Sequence, residues 1–375
     1  MSKRIIYFAC HYSSSNHRWY SSGGNTKVLQ TLRLLEKISE YLIFINFTPK
    51  ESNKIIPNTI NICSSFNKLI YSLEILFSFL KIKKFIKPKE KLIVVVYNPR
   101  FTSLLFFISS ILFLRRPTLI IQVEDIPGAR KNFFDLIDKL SFKILSIFAN
   151  HILFASNGML KKYQEEYPRI SNISIYPPSL SNEFIKKINK RKLPFRGGYV
   201  NIIYAGGYNE EKGIFDLLEA FKELNLKNYK LNVYGYFPNN LKKRYSKNKT
   251  IIFHGFVSNK ELIKAYSKSD IVVNPHRLIK DNNYIFPCKN IEIFASRAFP
   301  IVSEFSVSGF DLLDIKDLCT YKKTIELKKL IKNAPLIWER NFEKFENFSN
   351  LILENYSEDK ILNSLRKISD DLNNL

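Results

Sequence analysis

Lys212 sits where a charged side chain can meet a phosphate. It belongs to Asn201–Phe221, NIIYAGGYNEEKGIFDLLEAF. The apolar run Ile202–Ala205 predicts a buried strand, and Ile214, Leu217, Leu218 and Phe221 then recur at helical spacing. Between the two stand Gly206, Gly207 and the Lys212-Gly213 pair. Glycines let a backbone approach an anion. The first N–H groups of a helix and the positive end of its dipole point at that anion, and a lysine adds a full charge. The same letters also serve an ordinary strand-to-helix turn. A second constellation lies in Phe286–Glu304, FPCKNIEIFASRAFPIVSE. Lys289 and Glu292 are three apart and share one side of a helix start, with Pro287 near that start. A carboxylate there is favoured by the dipole and can accept two sugar hydroxyls at once. A charge pair that merely caps the helix accounts for the same residues.

Positioning these side chains takes strands and helices in alternation. In the first half, strands are expected at Ile5–Cys10, Tyr41–Phe47, Lys91–Tyr97, Thr118–Val123, His151–Phe154 and Ile173–Tyr176. Helices are expected at Thr26–Ile38, Ser65–Leu80, Thr102–Leu114, Asn132–Ala149 and from Ser156 to Tyr163. The IVVV of the third strand marks a strand buried on both faces of a parallel sheet. Lys186–Gly198 is charged and holds Pro194, Gly197 and Gly198, a linker composition. The pattern then restarts. Strands are expected at Val200–Ala205, Leu231–Tyr234, Ile251–Phe253, Ile271–Asn274 and Phe299–Ser303, with helices including Lys260–Tyr266 and Asn290–Ser296. Two such series predict an α/β fold of two Rossmann-like domains facing across a cleft. The division expected is 1–190, 191–355 and a C-terminal helix over 356–375 crossing back to the first domain.

The chain has 375 residues, 45% hydrophobic and 25% charged, the make-up of a folded protein with room for two domains. Cys10, Cys63, Cys288 and Cys319 are scattered with no CxxC pair, which argues against a disulfide framework or zinc site and fits a reducing, cytoplasmic setting. No signal peptide is visible, and no segment has the eighteen or so apolar residues that span a bilayer. The longest apolar run, Ser103–Leu114, is closed by Arg115 and Arg116; it reads as a buried core helix or as a helix lying on a membrane. The formal net charge is +24, and residues 1–195 carry +18 of it, from 30 Lys and Arg against 12 Asp and Glu. That half suits an anionic partner such as a membrane leaflet, although Lys-rich composition throughout the chain accounts for part of the excess.

In order along the chain, these segments resemble a retaining, nucleotide-sugar-dependent glycosyltransferase of the GT-B fold, family 4. YAGGYNEEKGIFDLLEAF resembles that family's strand–glycine–loop–KG–helix segment, FPCKNIEIFASRAFPIV its proline, lysine and glutamate variant, and IIFHGFVSNKELIKAYSKSDIVVNPHR the stretch between. SSGGNTKVL resembles its glycine loop after the first strand. The specific matches cover about Asn201–Ser303. The resemblance implies that Lys212 neutralises the donor diphosphate and helps the nucleotide leave. It implies that Glu292 holds the ribose hydroxyls and that Lys289 supports the phosphates or the helix start. Gly23 and Gly24 would admit the diphosphate or the transferred sugar, while Gly206 and Gly207 form the phosphate corner. His254 would lie near the nucleotide base, or be structural.

Three departures stand out. Gly207 occupies the position where the family usually has an arginine, leaving Arg277 and Lys289 as candidate substitutes. Tyr284 stands where the first of two glutamates eight apart is usual, so contact with the donor sugar's hydroxyls lacks its usual residue. Glu124-Asp125, after the buried strand of IIQVEDIPG, replaces the family's frequent His-Asp; the pair could bind acceptor or sugar hydroxyls, or be a solvated turn. No metal site and no cofactor are expected; the donor would be a UDP- or GDP-sugar and the acceptor a glycan or lipid-linked glycan of a bacterial surface polysaccharide. A nucleotide-sugar epimerase of the same fold is the competing enzyme. A basic nucleic-acid-binding protein, motivated by the +24 charge, is the weaker alternative; nucleic acid is not an expected partner, because no zinc-finger, helix-turn-helix or aromatic RNA-binding signature accompanies the charge. A dinucleotide-dependent oxidoreductase would need a GxGxxG after a first strand, and none is present.

Overall fold

A computed structural model of the chain describes residues 4–12, 22–48, 58–62, 67–86, 92–113, 117–125, 133–166, 172–191, 193–277, 288–307, 310 and 315–373. Cys63, Ser65, Lys91, Leu114 to Arg116, Asn132, Tyr284, Phe286, Pro287 and residues 13–21 of the first glycine loop lie outside the described residues. The chain forms two compact units: residues 1–178 with 361–375, and residues 179–360.

Unit 1 is a doubly wound parallel sheet. Its strands are β1 (Arg4–Ala9), β2 (Tyr41–Asn46), β3 (Thr59–Asn61), β4 (Leu92–Tyr97), β5 (Thr118–Val123), β6 (His151–Phe154) and β7 (Ile173–Ile175). They lie in the order β3-β2-β1-β4-β5-β6-β7, every pairing parallel. The order reverses between β1 and β4, the kind of switch point where ligands meet such sheets. The helices are α1 (Ser22–Glu36), α2 (Lys68–Leu76), α3 (Ser78–Ile82), α4 (Phe101–Phe113), α5 (Phe133–Phe148) and α6 (Asn157–Glu166). On one face of the sheet Tyr7, Phe44 and Val95 pack with Val28, Leu32 and Leu35 of α1. On the other, Phe8 stacks on Phe106 of α4 with ring centroids 4.2 Å apart, and Phe154 meets Tyr163 of α6 at 4.9 Å.

The helix expected over 65–80 is two helices. Asn67 caps the first by accepting from the N–H groups of Leu69 and Ile70, and Phe77, at φ −92° and ψ 9°, ends it before α3 begins. The Ser103–Leu114 run also differs from a fully buried helix. Ser103, Leu104, Phe106 and Phe107 of α4 face the core, but Ile108, Ile111 and Leu112 are exposed. Its neighbours do the same: Leu69, Leu73, Phe77 and Leu80 point outward along α2 and α3, and Phe133, Leu136, Leu140 and Ile147 along α5.

Unit 2 opens with α7 (Asn182–Ile188). It continues through β8 (Val200–Ala205), α8 (Ile214–Leu224), β9 (Tyr229–Tyr234), α9 (Asn239–Tyr245), β10 (Ile251–Gly255) and α10 (Asn259–Tyr266). Then come β11 (Ile271–Asn274), α11 (Lys289–Ala295), β12 (Phe299–Ser303), α12 (Lys316–Cys319) and β13 (Thr320–Tyr321). It closes with α13 (Thr324–Arg340), α14 (Phe342–Asn355) and the start of α15 (Glu358–Asn373). Its sheet runs β10-β9-β8-β11-β12-β13, again wholly parallel. The units divide at Pro178 rather than at the basic stretch near residue 190, because that stretch is tied into unit 2. Phe184 of α7 meets Tyr266 of α10 at 6.1 Å, and the Arg191 guanidinium donates to the carbonyls of Ser269 (2.6 Å) and Ser296 (2.5 Å). Asp270 then receives the N–H groups of Phe195 and Asn201, each at 2.7 Å. The rest of α15 belongs to unit 1, where Ile361, Leu362, Leu365, Ile368 and Leu372 join the core of α1.

Candidate functional site

The strand–turn–helix around Lys212 forms as its letters suggest, with one difference at the lysine. Gly206 leaves β8 with its N–H donating to the Tyr234 carbonyl (2.9 Å), and the Gly207 carbonyl accepts from the Tyr204 hydroxyl (2.6 Å). Glu210–Lys212 then make a 3-10 turn that ends on Gly213 in the left-handed conformation, φ 62°, before α8. Lys212 is therefore half-buried rather than carried on an exposed loop. Its Nζ lies 3.0 Å from Nε2 of His276, which follows β11.

That histidine has a defined proton. An ammonium can only donate, so Nε2 accepts from Lys212 and Nδ1 carries the hydrogen, donating to Asn274 Oδ1 at 2.9 Å. Asn274 Nδ2 donates in turn to Asn290 Oδ1 (2.6 Å), and Asn290 Nδ2 to the Ser306 carbonyl (2.6 Å). Both asparagines are buried. Burial, with Lys212 and Lys289 adding, pushes the His276 pKa down to about 3, so the ring is neutral.

Lys289 opens α11 and donates its Nζ to the Ala205 carbonyl at the end of β8. Burial lowers its pKa to about 8; Glu292 opposes that shift and Lys212 adds to it. Burial raises the Glu292 carboxyl, against the pull of Lys289 and of the Tyr266 hydroxyl bonded to it. Lys212, Lys289 and Glu292 are thus brought together, with His276 as a member that residue spacing did not single out. Two ammonium groups and one carboxylate beside a neutral imidazole leave a surplus of positive charge. A diphosphate would relieve it.

The other candidates take different places. Arg277 is not a free substitute for the missing arginine: its Nε and Nη2 fork onto Asp216 of α8 at 2.6 and 2.5 Å. His254 is exposed; its ring stacks on Tyr234 at 4.3 Å, its Nε2 lies 2.9 Å from Asn232 Oδ1, and burial lowers its pKa. Among the described residues none of its contacts reaches the Lys212 group.

In unit 1, Gly23 and Gly24 lie in the first turn of α1 rather than in a loop before it. A Cβ built on Gly23 meets nothing within 4 Å among the described residues, so none of them demands glycine there. The Glu124-Asp125 pair follows β5 and is held by Asn98, at φ 55°, whose Oδ1 accepts both backbone N–H groups (2.8 and 3.1 Å). The two side chains part company. Glu124 is buried, 3.5 Å from Lys27 Nζ and 2.9 Å from the Gln122 amide that donates to it. Burial raises its pKa and Lys27 pulls it back. Lys27 also donates to the Tyr176 carbonyl at 3.1 Å. Asp125 is exposed, with Asn98 Nδ2 3.5 Å from its Oδ2. Asn98 had no signal in the sequence beyond its place after a buried strand.

A 95-residue stretch is 27% identical to an uncharacterized 41.2 kDa protein in the cps region of Klebsiella pneumoniae, covering 25% of this chain and 26% of that protein. The match thus spans about a quarter of that relative's length. Sucrose-phosphate synthase from Thermosynechococcus elongatus superimposes with a TM-score of 0.75 at 14% identity, over 99% of both chains. Anabaena HepE in complex with UDP-glucose does so with a TM-score of 0.72 at 10% identity, over 99% of this chain and 100% of that one. These likenesses establish the fold, the GT-B pair of Rossmann-like domains. Residues 185–310, which hold Lys212, His276, Lys289 and Glu292, match the family model described as Glycosyl transferases group 1.

Proposed function

We propose that the chain is a retaining glycosyltransferase. It moves a hexose from a nucleotide-sugar donor, such as a UDP- or GDP-sugar, to a glycan or lipid-linked glycan acceptor in bacterial surface polysaccharide assembly. One observation carries this reading: the positive group of Lys212 and Lys289, with Glu292 beside it, at the carboxyl ends of β8 and β11 inside the matched segment. The bound UDP-glucose of Anabaena HepE and the cps-region relative support the donor and the pathway.

In the reaction the acceptor oxygen bonds to the anomeric carbon as that carbon's bond to the diphosphate breaks. The acceptor proton passes to the departing diphosphate. Lys212 and the amino end of α8 stabilise the charge that develops there, and a preorganised positive site is the usual source of such catalysis. Lys289 steadies the phosphates, with Gly206 and Gly207 forming the corner. Glu292 accepts the ribose hydroxyls, and His254 stacks near the base. In unit 1, Gly23 and Gly24 keep backbone open to the diphosphate or the sugar. Asp125 takes acceptor hydroxyls, and Glu124 backs it from its pairing with Lys27. No resident metal or cofactor enters this scheme. The work is done in the cytoplasm, at the inner face of the membrane.

The test is transfer from labelled UDP- and GDP-sugars. The wild type should release nucleoside diphosphate and label an acceptor glycan with its anomeric configuration kept. Lys212→Ala should lose tens- to hundreds-fold in kcat/KM, about 2–4 kcal/mol of transition-state stabilisation, with its unfolding midpoint little changed. Wild-type efficiency in that variant would refute the assignment of the corner. An epimerised sugar with no transfer would mark the chain as an epimerase.

A further inference from the structure

We propose that the outward face of α2, α4 and α5 in unit 1 is a docking surface for an anionic lipid bilayer, with the helices lying in the headgroup layer. This deepens the membrane contact proposed above and rests on it. The helices of a soluble domain normally turn polar residues outward, as α8 does with Lys222 and Glu223. Here the outward stripe is apolar on three helices. Leu73 and Phe77 are one turn apart along α2 and its cap. Ile111 and Leu112 close α4, and Leu140 and Ile147 are two turns apart on α5. Leu112 is 67% exposed and Ile147 72%. The stripes adjoin, because α4 packs against both α2 and α5. A contiguous apolar patch of this kind on a folded chain marks an interaction site rather than ordinary surface.

The charge around the patch selects the occupant. Lys81, Lys83 and Lys84 follow α2, and Lys139 and Lys143 rise beside Leu140 on α5; all five are exposed. Against them stand Glu74, Asp135 and Asp138, the last accepting the Phe101 N–H at the start of α4 (2.9 Å). Lys139 pairs with Glu166 at 3.4 Å and Lys81 donates to the Ile62 carbonyl at 3.2 Å, so the lysines turned to the border are chiefly Lys83, Lys84 and Lys143. Apolar side chains flanked by lysines match the acyl boundary and the anionic headgroups of a leaflet. A second copy fits less well, since pairing two such faces would oppose two lysine borders on chains of +24 each. Among the described residues no helix is long and apolar enough to cross a membrane, so the contact lies on the bilayer and does not span it.

Vesicle flotation tests this with phosphatidylcholine alone and with phosphatidylcholine holding 30% phosphatidylglycerol, a composition chosen for its strong negative surface charge, roughly the regime of an anionic leaflet. The intact chain should float with the anionic vesicles, less so as salt rises, and weakly with the neutral ones. Two variants address the face: Leu112→Ser with Leu140→Ser and Ile147→Ser, and Lys83→Glu with Lys84→Glu and Lys143→Glu. Each should bind at least about tenfold more weakly. UDP or GDP affinity, measured in the same samples, should stay at the wild-type value and report an intact fold. If both variants float like the wild type, the membrane contact stands and this face is wrong. If the wild type ignores anionic vesicles, the contact and the face both fall. A wild-type dimer that the serine variant dissociates, without vesicle binding, would make the face a self-association surface and overturn the proposal.

Discussion

Lys212 is held by a chain of neutral polar groups, and that chain explains how an ammonium stays in place beside a second one. Ser306, Asn290, Asn274 and His276 fix one another, and the imidazole offers its lone pair to Lys212. His276 is a positioning residue in this arrangement. His276→Gln can keep both contacts, because an amide donates and accepts. His276→Leu cannot, and should lose roughly tenfold or more in kcat with a smaller change in KM, since a misplaced lysine fails chiefly when charge develops. The pH dependence gives a second readout. The folded pKa of about 3 lies below the ordinary 6.5, so between those values the unfolded chain binds a proton that the folded chain does not. Stability from this group is therefore complete above about pH 6.5 and is lost as pH falls toward 3. His276→Leu should lessen acid destabilisation in that window, measured as unfolding midpoints against pH; an unchanged slope would remove His276 from its buried, neutral role. Lys212, Lys289 and Glu292 were legible from their spacing. His276 was not, because its partner is distant in sequence and a lone histidine after a strand has no periodicity to mark it.

The Lys212-Gly213 pair is a small structural device as well as a charge. Gly213 takes φ 62°, and a Cβ there would run into the Pro275 carbonyl, so the turn can hug the end of β11 only as glycine. Gly213→Ala should cost about 2–4 kcal/mol, from the left-handed conformation and the forced shift of backbone, and should weaken nucleotide binding by moving Lys212. Gly23→Ala makes the opposite case. Among the described residues it has open space, and it should leave the stability within about 0.5 kcal/mol of wild type, so any loss of activity would come from the bound ligand. Equal destabilisation by the two substitutions would contradict this distinction. At this scale the sequence was informative where apolar residues recur. The strands Thr118–Val123, Val200–Ala205, Ile271–Asn274 and Phe299–Ser303 stand at their expected bounds. It was uninformative where caps decide, as at Asn67 and Phe77, and at the short strands β3 and β13, which exist only by pairing with a neighbour.

For the molecule as a whole, the end of the chain completes its beginning. Five apolar residues of α15 are buried in the core of unit 1. Removing residues 358–375 would strip about 5–10 kcal/mol of burial, after allowance for a compact unfolded state. That is comparable to the whole margin of a domain. The shortened chain should lose the cooperative melting of unit 1 while unit 2 still binds nucleotide; melting identical to the full chain would show that α15 is dispensable. The sequence by itself determined the two β/α series, the glycine turn between β8 and α8 and the lysine–glutamate helix, because apolar periodicity, glycine turns and helix starts are local and leave their mark within a few residues. Tertiary structure alone decided three further things. Residues 179–198 belong to unit 2, Arg277 to Asp216, and the apolar sides of α2, α4 and α5 to the exterior. Each depends on which groups meet across long stretches of chain. An apolar stripe looks the same in sequence whether it ends up inside or outside, since only packing determines what water can still reach.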